Sequence, residues 1–132
     1  MRDTPADFIS VEIGINLVNA DVMRLRAFTP AVHGFLDTIR EGHPTTPLLV
    51  VSPIYCPIHE DTPAPGAFDL AGSQVRFQAA GDPAERASGK LTLGIIRDEL
   101  ARITAQRGPA IRTCTTSTAS ISTARLTSPS CR

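Results

Sequence analysis

Gly14 and Asn16 stand one residue apart at the end of an alternating apolar run, Phe8-Ile9-Ser10-Val11-Glu12-Ile13-Gly14-Ile15-Asn16. A glycine at a strand's carboxyl end lets the backbone approach a substrate closely. An asparagine amide at the same corner can donate to the negative charge that develops on a carbonyl oxygen under attack. The same tripeptide also suits a plain strand-ending turn, since Gly and Asn are turn residues. The other chemistry-bearing residues are less well placed. Ser52, between Val51 and Pro53, stands where a nucleophile could sit, but Ser-Pro there reads as a strand terminator. Ser73 follows Gly72 without the strand-turn-helix setting of a nucleophile elbow. His59-Glu60-Asp61 is the densest polar cluster, and a histidine in a Pro-rich loop reads as a surface residue. His33 falls inside a helical pattern and reads as packed or solvated. Cys56, after an apolar strand, reads as an inert thiol. Cys56, Cys114 and Cys131 are an odd number with no metal-ligand spacing, so no metal site, disulfide framework or cofactor is implied.

The elements that would position these groups follow from periodicity. The run Phe8 to Asn16 reads as a strand. Residues 17–27 read as a connection with room for a helical turn. Thr29-Pro30 is a helix-start signal, and Val32, Phe35, Leu36 and Ile39 then recur at amphipathic spacing until Gly42-His43-Pro44. Leu48-Leu49-Val50-Val51, between Pro47 and Pro53, is short and wholly apolar, as in a parallel strand buried on both faces. A Pro- and Gly-rich loop runs from Cys56 to about Ala67. Within the ambiguous stretch 68–89, Val75-Arg76-Phe77 is a candidate strand. Leu91, Ile95, Ile96, Leu100 and Ile103 mark a second helix, from Lys90 to Arg107. Strand, helix, strand, helix is the order of an α/β domain with a parallel sheet, whose functional groups lie beyond the carboxyl ends of its strands.

Composition bounds the functional classes. The chain has 132 residues, room for one domain, and a formal net charge of zero. That balance argues against a nucleic-acid partner, which calls for a basic patch. The longest apolar run, Leu48–Val51, is too short for a membrane span. No basic-then-apolar leader opens the chain, so a cytoplasmic location is expected. The balance conceals a split: up to residue 99 there are 8 basic and 13 acidic residues, whereas beyond it there are 5 arginines and no acid.

The segment Asp7 to Asn16 resembles the third sequence block of the SGNH hydrolases, the GDSL-like lipase/acylhydrolase (esterase) family, which is an apolar strand ending in Gly-x-Asn. Phe35 to Arg40 and His43 to Pro53 look like that family's next helix and strand. The resemblance, over roughly residues 5–107, implies a three-layer α/β/α fold with a parallel sheet, flavodoxin-like in kind. It also implies hydrolysis of a small ester through an acyl-enzyme. By match, Asn16 takes the oxyanion role and Gly14 the close backbone approach. The family's Gly-Asp-Ser nucleophile block and Asp-x-x-His block find no counterpart, since Gly-Asp-Ser does not occur and no histidine has an Asp three residues before it. The expectation is therefore an incomplete α/β domain over 1–107, inactive by itself, with a non-catalytic interaction or binding module as the alternative. An unpaired sheet edge would favour self-association.

Residues 108–132 show no period. Only Ile111, Ile121 and Leu126 among them have a T at the second codon base, so the bias to G and C is displaced from where a GC-rich gene carries it. A slipped reading frame accounts for this, and over Thr113 to Ala124 a neighbouring frame is compatible with a strand and turn. A low-complexity Ser/Thr linker is the other reading. Either way the tail is expected to be irregular and disordered.

Overall fold

Leu48–Val51 (β2) is the middle strand of a three-stranded parallel sheet in the computed structural model, which describes residues 2–70, 74–108 and 111–114. Ile9–Glu12 (β1) pairs along one side of it and Ile111–Cys114 (β5) along the other. The registers are Ile9↔Leu48, Val11↔Val50 and Leu48↔Ile111. Between β1 and β2 run a short helix, Ile15–Asn19 (α1), and a long one, Leu25–Gly42 (α2). After β2 come a 3₁₀ turn at Pro57–His59, an antiparallel ribbon of Gly66–Asp69 (β3) and Arg76–Ala79 (β4), and a second 3₁₀ turn at Pro83–Ser88. The helix Leu93–Arg107 (α3) then returns the chain to the sheet.

The molecule is thus an α/β fold with a parallel sheet, as the element order implies. Of the three layers that the resemblance implies, the described residues supply two. Both crossovers step the same way across the sheet, β1 to β2 to β5, and crossovers of one hand then set their helices on one face. Accordingly Ile9, Val11, Leu48, Val50 and Ile111 share one core with Phe28, Val32, Leu36 and Ile39 of α2 and with Leu93, Ile96, Leu100 and Ile103 of α3. On the opposite face Ser10 and Glu12 are exposed, and Leu49 and Val51 are only half-buried. The expectation that β2 is buried on both faces therefore fails, because the described residues cover one face.

Helix boundaries depart from the local signals in instructive ways. α2 begins at Leu25, five residues before Pro30, which lies inside the helix. The Thr29 hydroxyl does not cap; it donates to the Leu25 carbonyl at 3.3 Å and to Glu99 of α3. The start is set instead by tertiary pairing, with the Leu25 amide donating to Gly89 O at 2.8 Å and Arg24 bridging to Lys90. α3 begins where Thr92, almost fully buried, accepts from the Ile95 amide at 3.3 Å.

The sheet also runs past the expected boundary at residue 107. β5 lies in the segment expected to be irregular, and it pairs along its four residues with β2. Backbone N–H and C=O groups on β2's second edge require partners whatever the side-chain pattern opposite, so a segment without periodicity can still complete a sheet. Residues 115–132, and with them most of the Thr113–Ala124 reading, lie outside the described residues. No helix among the described residues is long and apolar enough to cross a membrane.

Candidate functional site

The turn from β1 into α1 is the corner on which the sequence places its chemistry. Val11 anchors β1 in the core and Val18 anchors α1, so the three residues between Ile13 and Leu17 are held from both sides. Gly14 has extended backbone at φ 176°, a conformation open to any residue. Its glycine character has another cause. A Cβ on Gly14 would lie 2.4 Å from Pro53 Cβ, inside contact distance. The close approach seen at Gly14 is therefore to Pro53, two residues past the end of β2. It brings the carboxyl ends of β1 and β2 together.

Asn16 lies in the first turn of α1 and is exposed. Its carbonyl accepts from the Ala20 amide at 3.1 Å. Its side-chain amide has no hydrogen-bond partner among the described residues, which leaves two donors directed to solvent at the sheet's carboxyl edge. The loop that follows α1 is tied down by charge. Asp21, at φ 46°, accepts from Arg24 at 2.8 Å and pairs with Lys90 Nζ at 3.2 Å. Lys90 also pairs with Glu85 at 2.9 Å. Hydrogen bonding to Glu85, then to Asp21, raises the Lys90 ammonium above its ordinary range, and the same contact lowers Glu85.

The other candidates fall elsewhere. Ser52 is fully buried behind the sheet edge. Ser10 points to the open face, and the Ser88 hydroxyl donates to Glu85 O at 2.7 Å. Ser73 lies outside the described residues. His33 is engaged by Arg107, whose Nε donates to its Nδ1 at 3.1 Å while one terminal nitrogen reaches Asp37 at 2.7 Å. The Asp37 carboxyl is lowered chiefly by that Arg107 hydrogen bond. Cys56 is half-buried against the core as a free thiol.

His59 reverses its expectation. It is 2% exposed, and its Nδ1 has no partner among the described residues. The neighbouring Glu60 explains the burial. Its carboxylate takes two hydrogen bonds from Arg97 of α3, at 3.0 and 3.1 Å, and a third from the Cys56 amide at 3.1 Å. Glu60 O also accepts from the Gly94 amide at 3.2 Å. These bonds pull the turn down onto the start of α3. The Arg97–Glu60 pair is 37 residues apart in sequence, and no local signal announces it.

An apolar groove of about 190 Å³, which periodicity did not announce, opens beside the corner, with Ile13 and Leu17 in its wall. No described serine, histidine and carboxylate come together as an attacking group and its base. The described residues place no nucleophile against the corner.

No protein-family model matches the chain, and no curated protein matches it. Among solved structures it is similar to the salicylyl-acyltransferase SsfX3 from a tetracycline biosynthetic pathway. The TM-score is 0.59 at 24% identity, over 86% of this chain and 27% of that one. The chain thus spans about a quarter of the length of the solved protein it matches, and the likeness establishes the α/β fold. Membership in the SGNH hydrolases is not supported: no family model carries it, and the matched structure is described as an acyltransferase. The segment that suggested that family is short, and its Gly14 already has a packing cause in Pro53. Gly and Asn are also ordinary turn residues, so a strand ending in Gly-x-Asn suits a plain strand-ending turn.

Proposed function

We propose that this chain handles an acyl group, in the broad class of acyl transfer or ester hydrolysis, with the Asn16 amide as donor to the carbonyl oxygen. The observation that carries the reading is the exposed and unengaged Asn16 side chain at the carboxyl end of β1, where parallel sheets place their ligands. The fold likeness to an acyltransferase supports the same class. A preorganised donor acts where charge develops, and one such donor is worth about 10²- to 10³-fold in rate. Gly14 serves this corner indirectly, by letting the ends of β1 and β2 close onto each other.

The test is binding of a tetrahedral anion to the full chain. Methylphosphonate is titrated against wild type and Asn16→Ala. Hydrogen bonds to charged groups contribute about 1.5–3 kcal/mol, so the variant should bind about tenfold more weakly or worse, with its unfolding midpoint unchanged. Equal affinity in both proteins would remove Asn16 from the role.

A second reading, a non-catalytic interaction module, is favoured by one observation. The β3–β4 ribbon exposes Phe68 and Phe77, 69% and 53% accessible, with ring centroids 5.2 Å apart. Apolar surface of this kind marks contact sites between proteins.

A further inference from the structure

We infer that the apolar face of the β3–β4 ribbon is the contact between two copies of this chain, which stack ribbon on ribbon as a weak, reversible dimer. The inference rests on the reading of that ribbon as an interaction surface and adds the partner.

The register decides which side chains share the face. Phe68 pairs with Phe77 and Gly66 with Ala79, so these four lie on one side of the ribbon. Leu70 and Val75 continue the same alternation, one step beyond Asp69↔Arg76. The other side carries Asp69, Arg76 and Gln78, and Gln78 donates to Asp69 at 3.4 Å. One side is thus wholly apolar, and the other keeps both charges in water. Gly66 belongs to the same arrangement. A Cβ there would lie 2.3 Å from Cζ of Phe77, so the glycine lets that ring settle against the backbone of β3. The ring packs beside Phe68 at 5.2 Å between centroids, which gives the face a fixed aromatic pair.

The ribbon receives little support from its own chain. No residue of either strand belongs to the core, and Phe68, Leu70, Val75 and Phe77 are 69%, 73%, 66% and 53% exposed. A two-stranded ribbon held by its own pairs is marginal in water, and a second layer on its apolar face supplies what it lacks.

Three properties fit that layer to a second copy. The face is self-complementary: an isologous contact sets the Phe68–Phe77 pair of one copy on the same pair of the other. Charge allows the approach, because the formal net charge is zero and no charged group lies on the face to be stripped of water. Arg76 is the only cation of the two strands and stands opposite Asp69, which leaves no basic lip for a nucleic acid or an anionic membrane. Area sets the strength. An aromatic side chain presents about 200 Å², so with Leu70 and Val75 the open face comes to about 400 Å². Two such faces remove about 800 Å², the size of a transient contact and short of the roughly 1,200 Å² at which stable ones begin.

Sedimentation velocity of the full chain from about 1 μM to 1 mM should show the 14.1 kDa monomer giving way to a dimer within that range. Over the same series the methyl resonances of Leu70 and Val75 should move with concentration, while the β1 amides stay in place. Phe68→Asp sets like charges face to face and should abolish the dimer. Gln78→Glu adds the same charge to the other side and should leave the dimer intact. A chain that stays monomeric throughout, or a dimer that moves the β1 amides and leaves Leu70 and Val75 unmoved, overturns the inference without recourse to any variant. Monomers that bind phosphatidylcholine vesicles through Phe68 overturn it in favour of a lipid partner. The interaction reading is judged separately, by the fluorescence of 8-anilinonaphthalene-1-sulfonate on monomeric protein. Enhancement that Phe68→Asp removes keeps that reading even where the dimer falls, and a monomeric chain without enhancement removes both.

Discussion

Substituting Gly14 by Ala puts a methyl group 2.4 Å from Pro53 Cβ and 3.3 Å from Pro53 Cα. Ordinary carbon contacts lie at about 3.5–4.0 Å, so the ends of β1 and β2 must part by more than an ångström or the proline ring must tilt. Neither is easy. Pro53 is buried, and β1 is fixed to β2 by its full register up to Glu12↔Val51. Overpacking of this kind costs about 1–3 kcal/mol. For a domain of this size each kcal/mol lowers the melting temperature by about 4 °C. The backbone at Gly14 is extended, so the cost comes from contact with Pro53 and can be isolated by a double-mutant cycle. Gly14→Ala, Pro53→Gly and the double variant are unfolded in urea. Removing the ring relieves the contact, so the alanine should be tolerated far better in the Pro53→Gly background, with a coupling of about 1 kcal/mol or more. Additive effects, or an unchanged midpoint for Gly14→Ala alone, would refute the packing explanation of Gly14.

Glu60→Ala should destabilise by about 3 kcal/mol, because it leaves the Arg97 guanidinium largely buried without its bidentate partner; urea unfolding reads this directly. Ser52, fully buried, should resist a fluorophosphonate probe, and stoichiometric labelling at Ser52 by mass spectrometry would show that the sheet edge opens. Glu99 has its carboxyl held below the ordinary 4.5, first by the Arg102 hydrogen bond. A depressed folded-state value means that its contribution is present at neutral pH and fades as pH falls from about 4.5 through the lowered value. Glu99→Gln should accordingly flatten the acid limb of the stability profile between those points, whereas an unchanged limb would contradict the assignment. Phe68→Ser with Phe77→Ser should reduce self-association in sedimentation velocity while leaving the unfolding midpoint within about 0.5 kcal/mol, as for exposed positions generally.

Periodicity made two of the sheet's three strands and its two large helices legible. The alternation of β1, the apolar run of β2 and the recurrence Val32, Leu36, Ile39 each reflect burial against one face, and that face is where the core lies. The features that local pattern missed depend on partners distant in sequence. Helix α2 starts at Leu25 because Gly89 receives its first amide, and Thr29, read as a cap, serves Glu99 instead. His59 is buried because Glu60 is bound by Arg97, 37 residues on. β5 forms on the free edge of β2, although Ile111-Arg112-Thr113-Cys114 carries little strand pattern. At the site, Gly14 and Asn16 were legible as a pair, but the cause of Gly14 was not. Pro53 is a neighbour only once β1 and β2 are in register.

The side-chain amide of Asn16 offers the most direct test of the acyl reading. Its two Nδ2 protons give resolved signals in a ¹⁵N-correlated spectrum of the full chain. On saturation with methylphosphonate the account predicts a downfield shift of at least one of them, because an amide proton donated to an anionic oxygen is deshielded. Asn16→Asp, which replaces the donor with a carboxylate at the same place, should abolish binding through charge repulsion. Asn16 amide signals that stay in place while the phosphonate binds, with undiminished affinity in Asn16→Asp, would contradict it.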